Sequence, residues 1–439
     1  MAIVTTPPHS SNMSSVRSLD AEQTRVLHKA AWRLIPLLAL AYFFNYLDRT
    51  SVGYAALQMT EQLGLTATQF GLGAGIMFFG YCLCEVPSNL AMYRFGARLW
   101  MARIMITWGL AAAATAMIVG PYSFYIVRLI LGIAEAGFFP GVIFFLTLWF
   151  PAQYRTRVLA WFTVATPVSF LVGGPLSIWL LQMHGLLGLA GWQWMFLIEG
   201  VPACILGLIT LKVLTNHPGE AKWLTADERD VLTGMLAEEQ TKGQHSHGFK
   251  AALKDPRVWI LSSITFSFTL GSYGIGIWLP QMLKAHGVEV SMIGWVAAIP
   301  YFFSTVALLI WAKHVDRTGK GIFNLTLAML LAGFALILAL QMNALIPALA
   351  GITLALIGTI AGKTIFYTLP GKFLRGQAAA GGIALINSIG AFGGFVGPYL
   401  MGFLKDYTGS FTAGLMVMGC IMFIAAAMVV SLRFFLREE

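Results

Sequence analysis

YIVRLILGIAEAGFFPGVIFFL (125–146) and AYFFNYLDRTSVGYAAL (41–57) decide how this chain folds. Each lies in an apolar run long enough for a bilayer-spanning helix, which needs about 20 such residues. Yet each carries an acid and an arginine, Arg128 with Glu135 and Asp48 with Arg49. A charge at the centre of a spanning helix costs roughly 2.5–3.5 kcal/mol on insertion scales. Two acids and two arginines in two such helices therefore point to an ion or substrate pathway.

The rest of the chain agrees with a membrane reading. Of 439 residues, 58% are hydrophobic and 11% charged, and the mean hydropathy is +0.75. Soluble domains carry about 25% charged residues. Only helices and closed barrels satisfy the backbone in lipid. Barrel strands would alternate apolar and polar residues over about ten positions, whereas the apolar runs here are unbroken. The expected fold is an all-α membrane protein of twelve transmembrane helices. Their expected limits are 32–57, 69–92, 99–119, 122–149, 158–183, 192–214, 257–283, 291–313, 322–342, 345–368, 377–403 and 412–435. They fall into a polar N-terminal tail (1–30, expected to be disordered), a six-helix bundle (31–214), a cytoplasmic linker (215–256) and a second six-helix bundle (257–435).

Charge sets the expected orientation. Lys and Arg cluster on cytoplasmic loops. With the N-terminus inside, Arg94, Arg98, Arg103, Arg155, Arg157, Lys313, Arg317, Lys320, Lys372 and Arg375 all fall on one face, and only Lys284 and Lys405 fall on the other. Both termini are then cytoplasmic, in a multi-pass protein of the inner membrane. The net charge of +9 is thus a topology signal, dispersed over short loops, and not a nucleic-acid surface. Cys82, Cys84, Cys204 and Cys420 all lie within expected spans, so no disulfide framework or metal spacing is read from them. His245 and His247 lie in the linker, where a solvated loop is the reading. No cofactor is expected.

The chain repeats itself. LAMYRFGAR (90–98) follows the second span and WAKHVDRTGK (311–320) the eighth, with Arg94 matching Arg317 and Gly96 matching Gly319. Pro151 and Pro370 open similar loops after the fourth and tenth spans. Pro175 in VGGP and Pro398 in FVGP correspond in the fifth and eleventh. Parallel repeats of six spans are the plan of one large transporter class.

Here the resemblance becomes specific. The loop motif VDRTGK and the six-plus-six plan resemble the major facilitator superfamily, across residues 30–435. NYLDR, EVPSNLAMYRFGAR, AEAGFFPG, WFPAQYR, GWQWMFLIEG and INSIGAFGGFVGPYL resemble its anion:cation symporter family, whose bacterial members include transporters of galactonate, tartrate, phthalate and hydroxyphenylacetate. The resemblance implies two pseudo-symmetric bundles and a secondary transporter that imports a small organic anion with protons. It implies a gating loop motif at Arg94, Gly96, Arg98, Asp316, Arg317, Gly319 and Lys320. Tyr93 stands where the N-terminal copy of that motif usually has Asp, which argues against a charged latch there. The resemblance also implies proton-coupling acids at Asp48 and Glu135 and carboxylate-binding arginines at Arg49 and Arg128.

The residues support an anion carrier in their own right. An arginine in a low-dielectric cavity offers a planar fork that fits a carboxylate. Asp48 beside Arg49, and Glu135 two turns from Arg128, are placed to neutralise them when no substrate is bound. Burial disfavours a carboxylate's charged form and a nearby arginine favours it, which suits an acid that gains and loses a proton. The bland alternative is a static ion-pair network between the first and fourth spans. Tyr46 and Tyr81 are candidate hydroxyl donors to substrate, with packing as the alternative, and Asn387 in the eleventh span is a candidate amide ligand. Glu85 and Glu199 read as packing or gating residues. Lys363 in the tenth span either snorkels to the cytoplasmic surface or faces the cavity as a third cation, which would suit a dicarboxylate. The expected partners are a small organic anion, protons and lipid, in a monomer. An exporter of drugs or metabolites shares the fold and is the alternative. A membrane-embedded enzyme would need a nucleophile, metal constellation or cofactor site that the sequence does not offer, and a receptor would not need the repeat.

Overall fold

The computed structural model describes residues 20–240, 253–340, 344–367, 369–370 and 377–434. The described residues are almost wholly helical. Eleven helical segments are long and apolar enough to cross a membrane, and Gln377–Thr408, a 32-residue helix, makes the twelfth. In chain order the spans are Ala21–Gln62, Ala67–Phe95, Ala97–Met117, Pro121–Trp149, Ala152–Leu181, Gly191–Val213, Pro256–Ala285, Val290–Thr318, Gly321–Leu340, Leu345–Phe366, Gln377–Thr408 and Thr412–Ser431.

Local chemistry sets the ends. Asp20 and Gln23 form a reciprocal capping box that starts the first helix, and Thr66 with Gln69 does the same for the second. Such caps satisfy backbone N–H groups that the helix leaves orphaned. The first helix therefore begins at Ala21, about three turns before the expected span. The expected tail of 1–30 is too long: Val26, Leu27 and Ala30 are fully buried, and their packing continues the helix beyond its apolar run. Residues 1–19, and the linker histidines His245 and His247, lie outside the described residues. So do Lys372 and Arg375.

The repeated glycines do what the repeat implies. Gly96 ends the second span at φ 85° and Gly319 the eighth at φ 67°, a region where a side chain is strained. The fourth span is broken. Helix runs from Pro121 to Glu135, Gly137 turns the backbone at φ 90°, and helix resumes at Phe138.

Packing follows the repeat. Within the first six spans, the third packs on the sixth, the second on the fourth, and the first on the fifth and sixth. Adding six to each number gives contacts that also occur in the second half. Between the halves the second span meets the eleventh and the fifth meets the eighth, which the same operation exchanges. Two pseudo-symmetric bundles are the result. Their approach is close where small residues allow it: Gly71 lies against the Pro398 carbonyl and Gly402 against that of Ala67, leaving no room for a Cβ at either.

The linker is not wholly irregular. Ala226–Gln240 is helical, and Lys29 donates to Glu228 at 2.6 Å, which holds the Glu228 carboxyl below the usual carboxylate range. Trp223 stacks on Trp149 with an interplanar angle of 8°.

Candidate functional site

The sequence places Arg49 one turn beyond Asn45 on the first span, so the two share a face. Both reach Glu135 on the fourth span. Arg49 donates from Nε to Glu135 Oε1 at 2.6 Å, its Nη2 pairs with the same oxygen, and Asn45 Nδ2 donates to it at 2.5 Å. Glu135 closes the helix Pro121–Glu135, and a helix C-terminus disfavours negative charge. Arg49 and Asn45 offset that cost. The sequence set Asp48 beside Arg49 and Glu135 two turns from Arg128, but it also put Asp48 and Arg49 on different surfaces of the first helix, and the structure follows that second reading. Adjacent residues on a helix point about 100° apart, so Arg49 cannot turn to Asp48, and the acid it meets comes from another span.

Asp48 faces the other way. It is 1% exposed and Arg128 is fully buried. The two form no direct ion pair, yet Arg128 lies near enough to act on the Asp48 charge. Arg128 Nη2 donates to Met77 Sδ at 3.3 Å. Its Nε and Nη1, both Asp48 oxygens and Glu135 Oε2 have no hydrogen-bond partner. A buried polar group without a partner is costly, and functional sites are where such cost is tolerated. Glu199, read from sequence as a packing or gating residue, extends this cluster. It is 2% exposed, its carboxyl faces Ser51 and Asp48, and neither of its oxygens closes a well-formed hydrogen bond.

Aromatic rings surround Arg49. Its guanidinium carbon lies 5.1 Å from the ring centre of Tyr81, 5.5 Å from Tyr46 and 5.8 Å from Phe78. Tyr46 and Tyr81 thus present ring faces to the arginine, a cation–π arrangement, while the Tyr46 hydroxyl lies 3.5 Å from that of Tyr42. The sequence offered two roles for these tyrosines, a hydroxyl ligand to substrate and packing.

The facing wall comes from the second half. Arg49 Nη1 lies 3.5 Å from the Tyr273 hydroxyl. Lys363 is half-buried in the last turn of the helix Leu345–Phe366, near Tyr273 and Tyr367. Tyr367 donates to Asn387 Oδ1 at 3.2 Å, so Asn387 joins the same wall. Sequence reasoning missed Asn45 and Tyr273. Asn45 was findable from its four-residue spacing to Arg49. Tyr273 had no local signal.

The gating loop residues lie apart from this cluster. Arg98 Nε donates to the Leu211 carbonyl at 2.7 Å and its backbone N–H to Asn216 Oδ1 at 3.0 Å, joining the second-to-third loop to the end of the sixth span. Arg94 sits 5.6 Å over Phe95. Asp316, Arg317, Gly319 and Lys320 are exposed. The four cysteines are free, and among the described residues no cluster of His, Cys, Asp and Glu has the makings of a metal site.

Comparison with known proteins gives a family. The family model of the Major Facilitator Superfamily matches residues 38–398 and 262–439. Two Agrobacterium vitis proteins, each named "Putative tartrate transporter", are 47% and 48% identical over 92% and 93% of this chain, covering 90% and 93% of their own lengths. The "Quinolone resistance transporter" of Acinetobacter baumannii is 40% identical over 90% of this chain and 92% of its own. In three dimensions the chain is similar to a bacterial homologue of the human lysosomal transporter Spinster, in an inward-facing and occupied conformation. That likeness has a TM-score of 0.73 at 17% identity, covering 96% of this chain and 99% of the other. Twelve helices in two matching sets and an arginine-lined wall between them have their explanation here: the chain belongs to the major facilitator superfamily and is a multi-pass membrane transporter, not an enzyme.

Proposed function

We propose that this transporter imports a small organic anion with protons by alternating access, as a monomer in the inner membrane with both termini cytoplasmic. One observation carries the reading: Arg49, in the wall between the halves, is paired with Glu135. A substrate carboxylate and the Glu135 carboxylate compete for the same guanidinium. When the anion takes Arg49, Glu135 is left at a helix C-terminus without its counter-charge, and protonation relieves it. When a proton leaves, Glu135 recaptures Arg49 and displaces the anion. Competition of this kind couples the two fluxes with no covalent step.

The surrounding charges favour the same reading. Three acids (Asp48, Glu135 and Glu199) accompany two arginines (Arg49 and Arg128) in this buried cluster. With all five ionised the cluster would carry one excess negative charge in low dielectric, so it is suited to holding a proton. Asp48 is the second coupling acid and Arg128 its counter-charge. Lys363 in the opposite wall adds a cation, and two cations on facing walls suit a dicarboxylate of tartrate size, consistent with the names of the Agrobacterium vitis relatives.

Uptake into energised proteoliposomes tests this. Labelled tartrate or succinate should accumulate under an inward pH gradient and fail to accumulate when a protonophore is present. A second reading, export of a drug in exchange for protons, is favoured by the Acinetobacter baumannii relative. Proton-driven quinolone transport without competition by any dicarboxylate would establish it instead.

A further inference from the structure

At the end of the molecule opposite the loop motifs, the two halves are tied together. Asp406, near the end of the eleventh span, accepts hydrogen bonds from the backbone N–H groups of Ala67 and Thr68 at 3.1 and 2.7 Å. These are the first residues of the second span, whose orphaned N–H groups and positive dipole end favour a carboxylate. Lys284, from the seventh span, reaches the Leu57 carbonyl of the first at 3.4 Å. Both contacts join the first half to the second.

Beside this tie lies an open cavity of about 720 Å³. One wall is Thr60 and Glu61 of the first half. The other holds Lys284, His286 and Lys405 of the second. In the described segments at this end (57–66, 118–121, 182–190, 281–289, 344–346 and 405–411), Lys284 and Lys405 are the only Lys or Arg residues, and both line this cavity. Neither forms an ion pair among the described residues. Lys405 is half-buried. Its ammonium donates to Gln281 Oε1 at 3.2 Å and sits 4.4 Å over the ring of Phe411 and 5.2 Å over that of Trp278. An ammonium has three donors, and one amide oxygen with two ring faces leaves donor capacity over. Its neighbour Asp406 is committed to the second span. Glu61 is the one acid of the lining, so the cavity keeps a positive excess.

We propose that this cavity is a second anion site, separate from the Arg49 wall, which holds a small dicarboxylate between Lys284 and Lys405 while this end of the molecule is closed. Its two walls come from different halves, so opening this end takes the site apart. A ligand shifts a conformational equilibrium only through its different affinity for the two states. An anion bound here therefore favours the closed arrangement that Asp406 and Lys284 already hold. The site stands or falls independently of which way the central site runs.

The test uses the purified full-length chain with succinate as probe. Calorimetry should resolve two classes of site. Arg49→Ala should keep the outer class. Lys284→Gln with Lys405→Gln should keep the central class and weaken the outer one at least tenfold. Closure is read separately with spin labels at Val119 and Ile346, exposed residues of the two halves at this end, in a chain whose native cysteines are replaced. In the Arg49→Ala background succinate should raise the short-distance population, and the two lysine changes should abolish that shift. A single class of site lost with Arg49→Ala overturns the proposal, as does outer binding that survives in the double lysine variant. Succinate binding that leaves the spin-label distances unmoved also overturns it. If instead Arg49→Ala removes nothing, the central reading fails while the outer site remains.

Discussion

The two halves share a packing plan and differ in what they bury. The first half holds Asp48, Arg128, Glu135 and Glu199 at 2% exposure or less, with Arg49 reaching them from the cavity wall. Facing them, the second half holds Tyr273 against Arg49, and Tyr367 hydrogen-bonded to Asn387. Symmetry of the backbone therefore does not extend to chemistry. A buried charge needs partners fixed in place, because leaving one uncompensated costs several kcal/mol. Hydroxyls and amides can exchange partners at far lower cost. The first half thus fixes its charges in place, and the second offers groups that exchange partners more readily.

The strongest challenge to this contrast is Arg128→Ala. It should destabilise the fold by about 3–5 kcal/mol, the usual result of removing one partner from a buried charge pair, read as lost thermal stability in detergent. Adding Asp48→Asn should restore most of that stability. No rescue would mean that Asp48 and Arg128 are not charge partners. Arg128→Lys keeps the charge but loses the planar fork, so it should retain only part of that stability.

Glu135→Gln sharpens the contrast next. The neutral side chain keeps the shape and releases Arg49, so substrate binding and exchange should persist while accumulation driven by a pH gradient is lost. Full concentrative uptake in this variant would remove Glu135 from coupling. On the other wall, Lys363→Met should weaken dicarboxylate binding by about ten- to a hundredfold, on the scale of a charge-assisted hydrogen bond, and leave monocarboxylates nearly unaffected. Equal loss for both classes would place Lys363 outside the site's selectivity. The smallest effect belongs to an exposed pair. Lys29→Ala removes the contact to Glu228 and should change stability by under about 1 kcal/mol. Because the folded protein holds the Glu228 carboxyl below its ordinary range, that contribution is present above the unfolded-state value and fades as pH falls through the folded one. A melting-temperature series between pH 7 and pH 3 should converge for the native chain and Lys29→Ala.

Sequence alone determined the class, the number of spans and the repeat. Runs of about 20 apolar residues have no other outcome in lipid, and glycines at 96 and 319 mark matching helix ends because only their backbones adopt positive φ without strain. It also pointed to Asp48, Arg49, Arg128 and Glu135, since charge within an apolar run is conspicuous whatever the fold. What it did not settle was who meets whom. Arg49 lies next to Asp48 in sequence and meets Glu135, 86 residues away. Helical rotation turns neighbours apart, and only the tertiary arrangement lets a side chain of the first span reach its true partner on the fourth. Tyr273 joins the site from the other half for the same reason. The packing that carries the first helix beyond its apolar run, and the helical stretch within the linker, also depended on burial against other segments, not on local apolarity. Covalent order fixes which groups exist and on which helix face they lie. The tertiary structure decides which faces meet, and the pairing of charges depends on that.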